Sequence, residues 1–179
     1  MPRLTAGQMM PDFQFQTPFR PGLRFRPAAG GKKTVLLFLR YYGCTLCQLD
    51  IRRLAQNYDK IEAAGGQVFV VLQSEPETIA GQMAENDLPF MLICDPAQTL
   101  YKEFAIPVAA SVEEMLGGKT KAKIAELEGT GLKHGKYEGE EQQLPAVFVV
   151  DTDGRITYVH YAKDLADIPN VDEMAELLK

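Results

Sequence analysis

The stretch VLLFLRYYGCTLCQLD, residues 35–50, decides how the rest of the chain is read. It opens on the apolar run Val35 to Leu39, and VLLFLRYY (35–42) predicts a strand. The spacing then changes. Leu46, Leu49, Leu54 and Ile61 recur at broadly helical intervals, predicting a helix from Thr45 to about Ala64 that ends at Gly65-Gly66. Cys44 and Cys47 stand where strand gives way to helix. Three uses are open for such a pair: a redox couple, half of a metal site, or one reactive thiol with a bystander.

The same alternation continues outward. QVFVVL (67–72) predicts a second strand, and Ser74, Pro76 and Glu77 form a helix start running to about Asn86. PFMLIC (89–94) predicts a third strand, and Asp95, Pro96 and Gln98 repeat the start signal for a helix through Phe104. AVFVVD (146–151), the turn DTDG and RITYVHYA (155–162) predict a β-hairpin, and Asn170 with Glu173 caps a closing helix. DFQFQ (12–16) and GLRFR (22–26) predict a small leading hairpin. The expected fold is α/β: a central mixed sheet flanked by helices on both faces, with an N-terminal β-hairpin. A single domain over 1–179 is expected, with an insertion at about 107–144 that is too long for an ordinary connection. Within the insertion, SVEEML and KTKAKIAELEG predict short helices, and the polar, glycine-rich tail predicts a loop.

Composition narrows the function classes. The chain is 46% hydrophobic and 24% charged, ordinary for a protein that buries a core. Its apolar runs are far too short to span a bilayer and the N-terminus lacks a leader-like apolar core, so a cytoplasmic protein with no membrane partner is expected. Residues 1–60 carry ten Lys/Arg against three Asp/Glu, and the remainder nine against twenty-one, so the net charge of −5 is unevenly spread. The basic residues are scattered without aromatic partners, so no nucleic-acid interface is expected. Three cysteines are too few for a disulfide framework, and in a reducing compartment a close pair is more often catalytic or metal-binding. Cys94, His134 and His160 offer no second ligand pair at zinc-finger spacing, so neither metal nor cofactor is expected.

A CxxC at a helix N-terminus suits redox chemistry. Positions i and i+3 share one face, which brings two sulfurs close. Unpaired N–H groups and the positive dipole end favour a thiolate and, with neighbouring arginines, lower a thiol pKa from about 8.5 toward roughly 3.5–7.5. Arg40, Arg52 and Arg53 flank the pair. Cys94, at the end of a strand, reads as a small buried hydrophobe, and His134 and His160 as structural or solvated. No buried carboxylate near the second cysteine is identifiable from sequence.

The strand–CxxC–helix arrangement resembles thioredoxin, AGQMMPDFQFQT (6–17) resembles the entry segment of peroxiredoxin-type redoxins, and LPAVFVVDTDGRITYVHYA (144–162) is similar to the matching hairpin in both. Together these identify the chain as resembling the alkyl hydroperoxide reductase/thiol-specific antioxidant branch of the thioredoxin-like superfamily, over most of its length except 107–144. Against the peroxiredoxin pattern, Arg40 stands at the place of the proline, Cys44 at the threonine and Cys47 at the peroxidatic cysteine. The arginine that normally precedes the FxxD strand is absent. Pro145 occupies the place of the thioredoxin cis-proline, so the resemblance implies a cis Leu144–Pro145 bond whose neighbouring backbone docks an extended substrate.

The resemblance therefore implies a thiol–disulfide oxidoreductase. Cys44 would attack, Cys47 would resolve, and Arg40 and the helix dipole would stabilise the thiolate. Tyr42 would shield the sulfurs, Thr45 and Leu46 would replace the Gly-Pro of thioredoxins, and Leu144 with Pro145 would shape the docking surface. The implied partners are a disulfide-bearing protein or a hydroperoxide, thioredoxin or a low-molecular-weight thiol as donor, and, as one option, a second copy in a homodimer. A thiol peroxidase and a non-catalytic thioredoxin-like binding module are the other readings.

Overall fold

The computed structural model describes residues 2–179. A five-stranded sheet runs in the order β5-β4-β3-β6-β7, built from β3 (Lys33–Phe38), β4 (Gly66–Leu72), β5 (Met91–Cys94), β6 (Ala146–Val150) and β7 (Ile156–Tyr161). The strands β3, β4 and β5 are parallel, whereas β6 pairs antiparallel to β3 and β7 antiparallel to β6. The mixed sheet is thus as expected. The leading hairpin is present but shorter: β1 (Gln14–Phe15) pairs with β2 (Leu23–Arg24), and Phe25–Ala29 turns into a short helix, α1, instead of continuing as strand.

Strand alternation divides the core into two halves. Val35, Leu37, Leu39 and Tyr41 point to one face, where they pack with α2 (Thr45–Gln56), α3 (Tyr58–Ala63) and the C-terminal α8 (Val171–Leu178). Leu36 and Phe38 point to the other, against the leading hairpin and α5 (Thr99–Glu103). There Phe104 meets Phe13, Phe38 and Phe148, with ring centroids 5.6 Å apart in each pair. Both cysteines of the pair belong to the first face.

Several expected boundaries shift for local reasons. The strand expected to reach Tyr42 ends at Phe38, which leaves Arg40 to Cys44 as irregular chain at the carboxyl edge of the sheet. The expected single helix from Thr45 breaks at Asn57, whose φ of −119° and ψ of 20° lie outside the helical well and whose side-chain amide donates to the Arg53 carbonyl. Gly65, at φ +79°, then turns the chain into β4, a conformation that only glycine adopts at little cost. The helix α4 (Pro76–Ala80) stops well short of Asn86, and its N-cap is Glu75, because the Ser74 hydroxyl instead accepts from the Tyr42 N–H at 2.9 Å. The Asn170–Glu173 capping box forms as expected.

Segment 107–144 leaves and rejoins the sheet at one point, since Leu144 N–H donates to the Pro107 carbonyl (3.1 Å) and Ala109 N–H to that of Gln142 (2.9 Å). It carries α6 (Val112–Met115), capped by Ser111, and α7 (Thr120–Ala125), and then runs without regular structure from Gly131 to Gln143. No helix among the described residues is long and apolar enough to cross a membrane.

The aromatic cluster under the sheet predicts the first outcome. Phe104→Ala removes a fully buried ring whose neighbours are held by sheet and hairpin, so stability should fall by about 3–5 kcal/mol. Urea unfolding measures this directly, and a loss below about 1 kcal/mol would show that the cluster collapses freely.

Candidate active site

Local backbone geometry places the first cysteine. Cys44 is the N-cap of α2, with φ −65° and ψ 123°, and its sulfur accepts from the Cys47 N–H at 3.4 Å. A thiol thus stands where a hydroxyl or carboxylate usually caps a helix, at the positive end of its dipole. The Arg40 guanidinium donates to Cys44 Sγ at 3.2 Å, and the Arg40 backbone N–H donates to Cys47 Sγ at 3.4 Å. One residue therefore contacts both sulfurs. Cys44, Cys47 and Arg40 are only 1%, 5% and 7% exposed, and both cysteines are free thiols.

These contacts split the two thiols. The Cys47 thiol donates to the Cys44 sulfur, and with Arg40 this brings Cys44 down to about 6 despite its burial. Burial and the adjacent Cys44 charge drive Cys47 well above the ordinary thiol range. A proton shared within the pair thus sits on Cys47, and the charge sits on Cys44, opposite a guanidinium. Burial and the neighbouring Glu138, Glu75 and Glu77 push Cys94 up to about 12, which fits its reading as an inert core thiol.

Arg40 is held from the other side by segment 107–144. Its Nη1 donates to both the Glu141 carbonyl and the Glu141 carboxylate at 2.7 Å. The Tyr41 hydroxyl donates to the same carboxylate at 2.8 Å and lies 3.1 Å from His134 Nε2. The Arg40 guanidinium also lies 4.8 Å above the Tyr41 ring. The Arg40 Nε is buried and has no protein partner. Arg40 also lines a cavity of about 10 Å³, room for about one water, together with Cys44, Cys47, Asp50, Pro145 and Leu165.

The structure brings Arg40, Cys44, Cys47 and Pro145 together, while Thr45 simply opens α2, half-buried. Two expectations are corrected. Tyr41, not Tyr42, joins the polar network of the site, because Tyr42 packs half-buried against the apolar cluster with its phenol near Asp87. The Leu144–Pro145 bond is trans, as are all peptide bonds among the described residues. The neighbouring backbone is also committed: Leu144 N–H donates to Pro107, its carbonyl accepts from Gln143 Nε2 (3.1 Å), and the Pro145 carbonyl accepts from Ala162 N–H (3.1 Å). Pro107, Gln143 and Ala162 thus occupy the backbone groups that the expected docking strand would have used.

Three further residues belong to the site: Glu141, His134, which reads as structural or solvated in the sequence, and Asp50. Glu141 and His134 lie about a hundred positions from Arg40 in a loop without periodicity, so no local signal marked them. Asp50 carries one: it lies three residues after Cys47 on α2, hence on the same face. Burial raises its carboxyl against the pull of Lys123 on α7, to which it is ion-paired.

With that geometry in place, comparison with known proteins decides the family. The AhpC/TSA family model matches residues 6–159. The chain belongs to the AhpC/TSA family. It is accordingly a thiol-dependent oxidoreductase. No curated protein sequence matches it. Among solved structures, peroxiredoxin 6 of Arenicola marina superposes with a TM-score of 0.68 at 14% identity, over 98% of this chain and 72% of that one. The reduced 2-Cys peroxiredoxin of Plasmodium vivax gives 0.68 at 14%, over 97% and 79%. A peroxiredoxin-like protein from Aquifex aeolicus gives 0.67 at 16%, over 99% and 88%. These likenesses show the shared fold.

The charge split predicts a titration. The Cys44 thiolate should form with a midpoint near pH 6 and be lost as pH falls through that value, read by ultraviolet thiolate absorbance. Arg40→Gln removes the cation facing the sulfur, so the midpoint should rise toward the ordinary 8.5. An unchanged midpoint would mean that the helix terminus and Cys47 suffice.

Proposed function

We propose that this AhpC/TSA protein is a thiol peroxidase in which Cys44 is the attacking thiol and Cys47 the resolving one. The observation that carries the reading is the Arg40 guanidinium on the buried Cys44 sulfur, with its Nε buried and unpartnered and the residue lining one small cavity with both cysteines. A hydroperoxide entering there would offer that N–H an acceptor oxygen, and the cation would stabilise negative charge as the O–O bond breaks. Arg40 thus supplies from the strand side the cation whose usual place, before the FxxD strand, is empty in this sequence.

The steps balance. The Cys44 thiolate attacks the terminal peroxide oxygen, an S–O bond forms as O–O breaks, and the departing alkoxide or hydroxide takes a proton to leave as alcohol or water. Cys44 is then a sulfenic acid. Cys47 gives up its proton and attacks that sulfur, a disulfide forms, and water leaves. A thioredoxin or a low-molecular-weight thiol reduces the disulfide by exchange.

Thiol–disulfide exchange with a protein substrate is the second reading, favoured by the CxxC spacing at a helix N-terminus. Against it stand the committed backbone of Leu144 and Pro145 and the near-complete burial of Cys44, which leave no strand edge for an incoming chain. The cytoplasm, as the setting for a reducing donor, is part of this proposal.

Variants separate the roles. Cys44→Ser should consume no hydroperoxide. Cys47→Ser should react once and stop at a sulfenic acid, trapped by dimedone and read by intact mass. A dimedone adduct on Cys47 in the Cys44→Ser protein would reverse the assignment.

A further inference from the structure

The stretch from Gly131 to Gln143 has no regular structure, yet it is fastened along its length to the elements around the cysteines. Gly135 N–H donates to the Gly43 carbonyl at 2.8 Å, directly before Cys44. Gln48 on α2 reaches both that carbonyl and the Lys133 carbonyl at 3.0 Å. Glu138 accepts from Glu75 N–H (2.9 Å) and the Thr78 hydroxyl (3.0 Å), and Gln73 exchanges two hydrogen bonds with the Glu140 backbone. The approach at Gly43 is backbone against backbone. A Cβ there would overlap the Lys136 carbonyl and lie 2.7 Å from the Gly135 carbonyl carbon, so the residue before the cysteine has no room for a side chain. His134 and Tyr137 stack at 4.1 Å on top of this contact, beside Tyr41.

We propose that this segment, a strap seated on Gly43, is the specificity determinant of the site and restricts the Cys44 thiolate to hydroperoxides without a bulky substituent. The proposal rests on the peroxidase reading and deepens it. With the strap on Gly43 and its Glu141 holding Arg40 against the sulfur, Cys44 is 1% exposed and the cavity at the two sulfurs has room for about one water, so a small peroxide needs only a local shift of these contacts. A bulky alkyl or aryl group needs the strap lifted, with two or more of its hydrogen bonds broken together. Losing two or more such bonds together makes the lifted population smaller by on the order of 10- to 100-fold.

The test compares hydrogen peroxide with cumene hydroperoxide on the reduced protein, each rate divided by that of free cysteine so that intrinsic reactivity cancels. In parallel, N-ethylmaleimide and a pyrene-bearing maleimide label Cys44, with the site mapped by mass. The wild type should disfavour the bulky member of each series at least about tenfold. Gln48→Ala/Glu138→Ala, which unfastens the strap at two points away from the sulfurs, should bring both ratios toward one. Gln48→Ala alone, the milder change, should move them part of the way. Ratios near one in the wild type, or unchanged in both variants, would overturn the proposal. If neither peroxide outpaces its reaction with free cysteine while the maleimide ratios behave as described, the peroxidase reading fails and the strap stands as a size filter on the thiol.

Discussion

The site depends on one buried cation. Arg40 lies just past the end of β3, where the chain has left the sheet but not the core, and its guanidinium divides between the Cys44 sulfur and Glu141. Burying an arginine is costly unless its charge is met, and here a thiolate and a carboxylate meet it from opposite sides. The consequence runs both ways. Arg40 favours the ionised form of Cys44, and a charged Cys44 makes burial of Arg40 tolerable. Cys47, bonded to both through its sulfur and its N–H, is thereby left holding the proton.

The same residue ties the cysteine pair to segment 107–144. Glu141 bonds Arg40 through both backbone and side chain, and Tyr41 closes the triangle through its hydroxyl. Segment 107–144 thus forms an outer wall of the site. It also supplies Lys123, the ion-pair partner of Asp50 behind the second cysteine. Both ends of the segment are pinned at Pro107 and Leu144, so its position over Gly43 is set by the sheet as well as by its own contacts.

Most of the framework was legible in the sequence because it follows local rules. Alternating apolar runs and capping signals marked the five strands of the main sheet and most helices, and the i,i+3 cysteines at a strand–helix junction marked the candidate site. What was not legible depends on contacts distant in sequence. Asn57 breaks a periodic helix by bonding its own preceding turn, and Ser74 spends its hydroxyl on Tyr42 rather than on a helix. The proline before β6 matched a motif, but the geometry at Leu144–Pro145 answers to Pro107, Gln143 and Ala162, none of which the motif contains. Glu141 and His134 lie in a stretch with neither pattern nor periodicity, and only folding carries them to Arg40 and Tyr41.

The central claim is that Arg40 acts on the reacting sulfur and oxygen, beyond lowering the thiol pKa. The direct measurement is the second-order rate of oxidation by hydrogen peroxide for wild type and Arg40→Lys, at a pH where both have fully ionised Cys44. Lysine keeps the charge but loses the planar fork that reaches sulfur, Glu141 and peroxide together. A fall on the order of 100-fold is expected at matched ionisation, the scale of losing one oriented donor to a developing oxyanion. Equal rates would contradict it and leave Arg40 a structural ion that happens to touch the sulfur.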